Sequence, residues 1–199
     1  MTRFTALLDA CSLVPVTLAD TLLRLADAGL FRPLWSDEIL DEMTRAVVHM
    51  HPHLADRVQH RVQTMRSHFE DALVTEWEDL LGSITLPDPN DRHVVAAAAV
   101  GRADVIVTFN IRDFPEQQLS PLKLEAQSPD CFLLNQLDLS PSVVMGALRK
   151  QAQATKKPHI TLCTLLDRLR KANVPQFAEA ASRQLWRTWS PREDPCNIP

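Results

Sequence analysis

The chain is predicted to adopt an α/β fold, a three-layer sandwich with a central, mainly parallel sheet, followed by a helical extension. Through residue 129, short apolar runs typical of buried strands alternate with amphipathic helical patterns, and such alternation indicates a parallel sheet. Beyond residue 129 only helical periodicity remains. We therefore expect one domain at residues 1–129 and a helical C-terminal extension at residues 130–199.

The expected elements follow from the position of each apolar run and its caps. Ser36 precedes two acids and then an apolar face, so it is expected to cap a helix that runs to about residue 50. The other elements of the first part are strands at 4–9, 32–35, 83–86, 104–109 and about 122–126, with helices at 17–28, 52–69 and 90–102. Helices at 131–137, 142–154, 161–172 and 176–186 are expected in the extension.

Composition limits the classes of protein to consider. A chain of 199 residues with 45% hydrophobic content can bury one sizeable core. Because no run of about 18 apolar residues occurs and the N-terminus does not resemble a signal peptide, we expect no membrane span and a cytoplasmic protein. The four glycines form no phosphate-binding cluster, which excludes a P-loop or dinucleotide fold, and the absence of a C-x-x-C pair argues against a zinc ribbon.

The charge is distributed unevenly along the chain. Residues 1–130 hold 11 Lys and Arg against 20 Asp and Glu, whereas residues 131–199 hold 10 against 5. Bound metal could neutralise part of the acidic segment, and the basic segment could hold phosphates or an acidic protein. Two solvated surfaces would produce the same distribution, so both interpretations stay open.

Several acids lie where strands end or helices begin. Asp9 ends the first strand, Asp113 follows the strand at 104–109, Asp91 opens a helix, and Glu42 borders the apolar face of another. Because the carboxyl ends of parallel strands line the ligand crevice of an open sheet, these acids are expected to converge. Carboxylates are the ligands that Mg²⁺ and Mn²⁺ prefer. A haloacid-dehalogenase-type phosphatase also begins with an acid at a strand end, but it needs a second acid where this chain has Cys11.

Four motifs lie in order along the chain, at Leu8–Pro15, Ser36–Met43, Asp88–Ala98 and Val107–Pro115. The most distinctive of them is T-x-N-x-x-D-F-P, in the last range. Together they resemble the PIN domain family, including the VapC-like ribonuclease toxins of bacterial toxin–antitoxin pairs. The resemblance covers residues 4 to about 126, and the segment past Pro129 resembles the helical extension of one PIN subgroup.

The resemblance implies a metal-dependent endoribonuclease, a hydrolase that cleaves single-stranded RNA with a metal-activated water and leaves 5′-phosphate ends. It implies one or two Mg²⁺ or Mn²⁺ ions, a cognate antitoxin that blocks the site, and homodimerisation. The implied metal ligands are Asp9, Glu42, Asp91 and Asp113, with Asn110 in the catalytic set to orient water or a carboxylate. The alternative is a catalytically degenerate PIN domain that acts as an RNA-binding or protein-interaction module.

Individual residues have alternative interpretations. Glu38 lies one turn before Glu42 and competes with it for the same role. Asp91 falls where a capping-box acid belongs, and Asn110 is also a common loop former. Cys11 stands where many relatives have a polar residue, with Ser12 beside it as a substitute. The four tryptophans, at positions 35, 77, 186 and 189, could stack on bases or fill the core.

Overall fold

The computed structural model describes residues 4–155 and 160–187, and it divides into two compact units. The first unit contains the described residues through Val14 together with Phe31–Ser128. The second contains Pro15–Leu30 and the described residues from Pro129 onward. The division into residues 1–129 and 130–199 stays a prediction, and these units differ from it by placing residues 15–30 with the later helices.

Four parallel strands form one sheet within the described part of the first unit. They are β1 (Thr5–Leu8), β2 (Arg32–Leu34), β3 (Val105–Val107) and β4 (Glu125–Gln127), in the order β2-β1-β3-β4. In the register, Leu7 lies beside Leu34 and Leu8 beside Val107. The parallel α/β sheet expected from the sequence is confirmed, and it is consistent with a three-layer sandwich.

Helices account for most of the remaining described residues. In chain order they are α1 (Ala10–Leu13), α2 (Val16–Asp27), α3 (Asp37–Met50), α4 (Ala55–His68), α5 (Arg92–Val100), α6 (Glu116–Leu119), α7 (Pro129–Leu139), α8 (Pro141–Ala154), α9 (Leu162–Lys171) and α10 (Pro175–Arg187). Short 3₁₀ helices lie at Pro52–Leu54, Glu70–Ala72, Glu78–Ser83, Pro89–Asp91, Ile111–Asp113 and Ser120–Leu122. The short helices α1 and α6 were not predicted.

Helix α3 begins where its cap predicted. Ser36 Oγ accepts a hydrogen bond of 3.3 Å from the backbone N–H of Ile39, and the first turn is acidic. The buried face of α3 includes Leu40, Met43 and Val47. This arrangement fixes the rotation of the helix and places Glu42 beside the buried face.

Helix α5 packs against β1 and β3 through a run of small apolar residues, 94–98, all of them buried. Gly101 follows the helix, and a Cβ atom there would lie 2.6 Å from Leu34 Cδ1. A larger residue at 101 would therefore push the helix end away from β2. This close packing fixes the opposite end of α5, where Asp91 precedes the helix.

The strand expected at residues 83–86 is absent from the described structure. Ser83 ends a 3₁₀ helix, whereas Ile84 and Leu86 are buried without belonging to a strand. The outer edge of the sheet pairs instead with the segment at residues 72–74. The Trp35 N–H donates to the Ala72 carbonyl at 3.0 Å, and the Trp35 carbonyl accepts from the Val74 N–H at 2.8 Å. The alternating apolar residues at 84–86 therefore reflect core packing rather than strand pairing.

The second unit is helical in its described part and consists of α2 and α7–α10. Asp130 caps α10 by accepting hydrogen bonds from the backbone N–H groups of Gln176 at 3.1 Å and Phe177 at 2.8 Å. Thr21 of α2 donates to Gln151 of α8 at 2.8 Å. These buried polar contacts tie residues far apart in sequence into one helical core.

Among the described residues, no single helix is long and apolar enough to cross a membrane. Helices α7 and α8 reach the length and apolar composition of a membrane span only when they are taken together, and the two helices meet at a bend of 118°.

Candidate active site

Asp9 is a buried carboxylate at the carboxyl end of β1. Its side chain is 5% exposed, and its backbone extends the sheet by donating to the Val107 carbonyl at 3.1 Å. A buried carboxylate is unfavourable unless it is hydrogen-bonded or neutralised. Asp9 Oδ2 accepts hydrogen bonds from Thr108 Oγ1 at 2.6 Å and from Cys11 Sγ at 3.0 Å. In the described structure both donors use Oδ2, so Oδ1 is available to a cation.

Thr108 and Cys11 form a small network that holds Asp9. The N–H of Asn110 donates to Thr108 Oγ1 at 3.0 Å, and the N–H of Phe109 donates to Cys11 Sγ at 3.2 Å. The loop after β3 therefore orients both donors toward one carboxylate oxygen.

Cys11 acts as a neutral hydrogen-bond donor. Burial, together with the negative charge of Asp9, raises the pKa of the Cys11 thiol from 9.0 to about 12, so the proton stays on sulfur at neutral pH. Ser12, the suggested substitute, donates instead to the Val107 carbonyl at 2.8 Å. The thiol itself therefore takes the supporting position beside Asp9.

Glu42 enters the site from α3. Its Oε1 lies 3.1 Å from Nε2 of His93, a buried residue in the first turn of α5. The rival acid Glu38 instead forms an ion pair of 2.8 Å with Arg45 on a solvent-exposed surface. The geometry therefore favours Glu42 over Glu38 as the α3 residue of the site, although the role of Glu42 stays a prediction.

Asp91 ends the 3₁₀ helix Pro89–Asp91 and precedes α5. Asp88 caps the 3₁₀ helix through a 2.8 Å bond from the Asn90 N–H, whereas among the described residues the Asp91 side chain makes no capping hydrogen bond. Burial and then repulsion, from Asp9 first and also from Asp88, Asp113 and Glu42, raise the pKa of Asp91 from 3.8 to about 6. Asp91 therefore lies near each of these acids.

The remaining two predicted residues follow β3. Asp113 ends the 3₁₀ helix Ile111–Asp113, is partly buried, and contributes to the repulsion on Asp91. Asn110 is exposed, and its hydrogen bonds in the described structure are made by its backbone, whose N–H donates to Thr108 Oγ1 and whose carbonyl accepts from the Asp113 N–H at 2.9 Å. Its proposed part in orienting water or a carboxylate stays a prediction.

We refer to Asp9, Glu42, Asp91 and Asp113 as the acid cluster. Within the described residues, no three His, Cys, Asp or Glu side chains lie close enough to form a metal-binding group by themselves. Mg²⁺ commonly binds through one or two carboxylates while waters and substrate phosphates complete its coordination. The acid cluster therefore fits a hard divalent cation that shares its coordination with water and substrate. Its donors are oxygens, Oδ1 of Asp9 is available, and a cation would relieve the repulsion of Asp91 by the neighbouring acids.

Sequence reasoning missed two residues of the site, Thr108 and His93. Thr108 could have been found from the register, because it follows β3 as Asp9 follows β1. His93 is 6% exposed and stands in the first turn of an otherwise apolar helix, two residues after Asp91. A polar residue on a buried helical face was the available signal, since such a residue needs a hydrogen-bond partner.

Sequence comparison assigns the chain to a family. Residues 5–112 match the PIN domain, so the chain belongs to the PIN domain family. Residues 129–183 match the family described as the VapC50 C-terminal domain. Both parts of the expected resemblance, the PIN domain and its helical extension, are thereby confirmed.

A protein of Mycobacterium tuberculosis named "Putative ribonuclease VapC50" is 45% identical over 101 residues, which cover 51% of this chain and 59% of the relative. The chain therefore matches less than two thirds of that relative's length. No solved structure matches the chain significantly.

Proposed function

We propose that this chain is a metal-dependent endoribonuclease that cleaves single-stranded RNA and serves as the toxin of a toxin–antitoxin pair. The observation that carries the proposal is the buried Asp9 carboxylate at the end of β1, held on Oδ2 by Thr108 and Cys11, with Asp91 near enough for the charge of Asp9 to add to the effect of burial on its pKa. An unneutralised cluster of this kind is electrostatically unfavourable. Membership of the PIN family and the ribonuclease name of the 45% identical relative support the same reaction.

The residues of the site have separate tasks in this proposal. Asp9 offers Oδ1 to the cation while Thr108 and Cys11 fix its other oxygen. Glu42 is held by His93, and Asp91 and Asp113 add negative charge that a divalent ion compensates. A bound Mg²⁺ or Mn²⁺ ion neutralises charge at the phosphate and lowers the pKa of water.

The proposed reaction is an in-line displacement at phosphorus. The water oxygen forms a bond to phosphorus, and the bond between phosphorus and the 3′ oxygen of the leaving strand breaks. The water gives up one proton to solvent, and the 3′ oxygen keeps the electron pair of the broken bond and takes up one proton, so the number of protons is unchanged overall. One product therefore ends in a 5′-phosphate and the other in a 3′-hydroxyl, with no attack by the ribose 2′-hydroxyl.

The biological setting is also proposed. The name of the relative and the match to its C-terminal domain family support a cognate antitoxin, cytoplasmic residence and an RNA target. Homodimerisation is expected from the resemblance alone. Analytical ultracentrifugation that shows only a monomer at high concentration would remove the homodimer.

RNA cleavage with end-group analysis tests the proposal. Labelled single-stranded RNA is incubated with the wild type in Mn²⁺, Mg²⁺ or EDTA, beside Asp91→Asn and the matched control Asp41→Asn, which changes an exposed acid of α3. We expect metal-dependent cleavage that leaves 5′-phosphates, is lost in Asp91→Asn and is retained in Asp41→Asn.

The opposite result identifies the alternative. If folded wild-type protein cleaves none of a varied set of RNAs, and calorimetry detects no binding of Mn²⁺, the chain is a degenerate PIN domain. Products that end in 2′,3′-cyclic phosphates would instead exclude a water nucleophile.

A further inference from the structure

Trp77 places an aromatic ring next to the acid cluster. It lies in the segment between α4 and α5, and its side chain is partly exposed. Its ring centroid is 5.9 Å from that of His93, whose Nε2 is 3.1 Å from Glu42 Oε1. The indole therefore contacts His93, and His93 in turn contacts Glu42, a proposed metal ligand.

Trp35 differs from Trp77 in the same unit. Trp35 is 0% exposed and packs edge-on against Phe69 at 5.8 Å, so it is a core residue. The side chains of Trp186 and Trp189 lie outside the part of the chain that the structure describes. Trp77 is therefore the described tryptophan with a ring surface that a ligand can reach.

The backbone before Trp77 has an unusual conformation. Glu76 has φ of 61°, in the left-handed region that residues with a side chain rarely adopt. Such a conformation is unfavourable and persists where the surrounding structure requires it. The turn at Glu76 directs the chain into the 3₁₀ helix Glu78–Ser83, which packs against α5 and fixes the position of Trp77.

The electrostatics of the site favour an uncharged contact with RNA. Four carboxylates lie close enough to Asp91 to repel it, and they repel RNA phosphates in the same way. In the metal-free site, attraction of RNA must therefore come from contacts that do not involve its phosphates. Stacking of a base on an indole is such a contact, and it tolerates any base because each has a π face.

We propose that Trp77 is a base-stacking residue that holds one base of single-stranded RNA beside the acid cluster. The proposal rests on the proposed function for its substrate class. It adds an aromatic subsite that orients the strand, so that a neighbouring phosphate faces Asp9.

Binding without turnover tests the stacking role. The probes are labelled oligoadenylate and an abasic ribose-phosphate oligomer of the same length, in EDTA and in Mn²⁺, with fluorescence anisotropy as the readout. The proteins carry Asp91→Asn to prevent cleavage, alone or combined with Trp77→Ala, Trp77→Leu or Trp77→Phe. Leucine retains an apolar cover over His93, whereas phenylalanine retains an aromatic face.

Loss of the ring should weaken oligoadenylate binding by about tenfold, in line with the usual contribution of one stacked base. We expect this loss in both the alanine and leucine variants, near-normal binding in the phenylalanine variant, and no difference between variants for the abasic oligomer. Leucine that binds as tightly as phenylalanine, or a loss shared by the abasic oligomer, would overturn the proposal. Equal binding of both probes by all variants, or no binding by the parent protein, would overturn it too.

A separate measurement distinguishes this proposal from the proposed function. Calorimetry with Mn²⁺ on Trp77→Ala in the otherwise wild-type chain should give the wild-type affinity, because the ring contact of Trp77 is with His93, which is not a proposed metal ligand. If the wild type neither binds Mn²⁺ nor cleaves RNA while the anisotropy pattern holds in EDTA, the nuclease proposal fails and the stacking role stands. A loss of Mn²⁺ affinity would show that Trp77 instead supports His93.

Discussion

Thr108 Oγ1 donates a hydrogen bond of 2.6 Å to Asp9 Oδ2 and thereby joins the ends of two neighbouring strands. Leu8 lies beside Val107 in the parallel register, so the next residues of β1 and β3 emerge side by side. The Asn110 N–H occupies a lone pair of the Thr108 oxygen, which leaves its proton for Asp9. A neutral hydroxyl thus fixes the carboxylate without compensating its charge.

Replacement of Thr108 by valine should destabilise the protein. Thr108→Val keeps the side-chain shape but removes the hydroxyl, so Asp9 loses a donor and the Asn110 N–H loses its acceptor. We expect the free energy of unfolding to fall by about 2 kcal/mol in urea denaturation. Thr108→Ser, which keeps the hydroxyl, should lose less, and equal losses in the two variants would contradict this account.

Cys11 should resist alkylation in the folded protein. Its thiol has a pKa of about 12, so the reactive thiolate is a very small fraction at pH 8. Cys131 is exposed. Mass spectrometry after a short treatment with iodoacetamide should find Cys131 modified and Cys11 intact, whereas denatured protein should be modified at both. Early labelling of Cys11 in folded protein would show that its thiol is not held in the protonated form beside Asp9.

The main strands and helices could be predicted because their signals are local. The apolar runs before Asp9 and Thr108 became β1 and β3, and Ser36 capped α3 as expected. The segment at 83–86 could not be assigned correctly, because the apolar side chains that alternate there pack in the core without strand pairing. The partner of the sheet edge is set by tertiary packing, which brings Leu73 beside Trp35.

The acids of the site could be proposed from the sequence, but the hydrogen-bond partners that hold them in place could not. Three of the acids stand beside a strand or helix boundary, and Glu42 borders the apolar face of α3, so local patterns reveal all four. The partners of Asp9 and Glu42 are 99 and 51 residues away in the chain, at Thr108 and His93. Only the strand register and the packing of α5 bring such distant residues together.

His93 is expected to act as a positioning residue for Glu42. Its Nε2 is 3.1 Å from Glu42, whereas within the described structure its buried Nδ1 has no partner. His93→Ala should therefore reduce Mn²⁺ affinity by about tenfold, the usual loss when a group that orients a metal ligand is removed. Titration calorimetry measures this affinity.

A conservative variant separates positioning from general packing. The amide of His93→Gln can reach Glu42 from a similar position, so it should recover most of the Mn²⁺ affinity. If His93→Gln binds as weakly as His93→Ala, while both unfold at the same urea concentration as the wild type, the hydrogen bond to Glu42 does not determine metal binding.

Asp91→Asn should stabilise the metal-free protein at neutral pH. Burial and the neighbouring acids raise the folded-state pKa of Asp91 from 3.8 to about 6, so the folded state binds this proton more tightly than the unfolded state does. Ionised Asp91 therefore destabilises the fold above pH 6, and the penalty disappears as pH falls through 6 toward 4. Because the group is partly exposed, we expect asparagine to add about 1 kcal/mol at pH 7.5 and almost nothing at pH 4.

Urea denaturation in EDTA at several pH values measures this gain, with Asp41→Asn as the control whose effect should not follow the same pH profile. A gain that grows as pH falls would contradict the sign of the shift.

Saturating Mn²⁺ should reverse the order of stability of the wild type and Asp91→Asn, because a ligand at 100 times its dissociation constant stabilises the folded state by about 2.7 kcal/mol. The wild type retains Asp91 for the ion and should gain that amount, whereas the variant should gain much less. The same carboxylate would thus weaken the empty site and stabilise the loaded one.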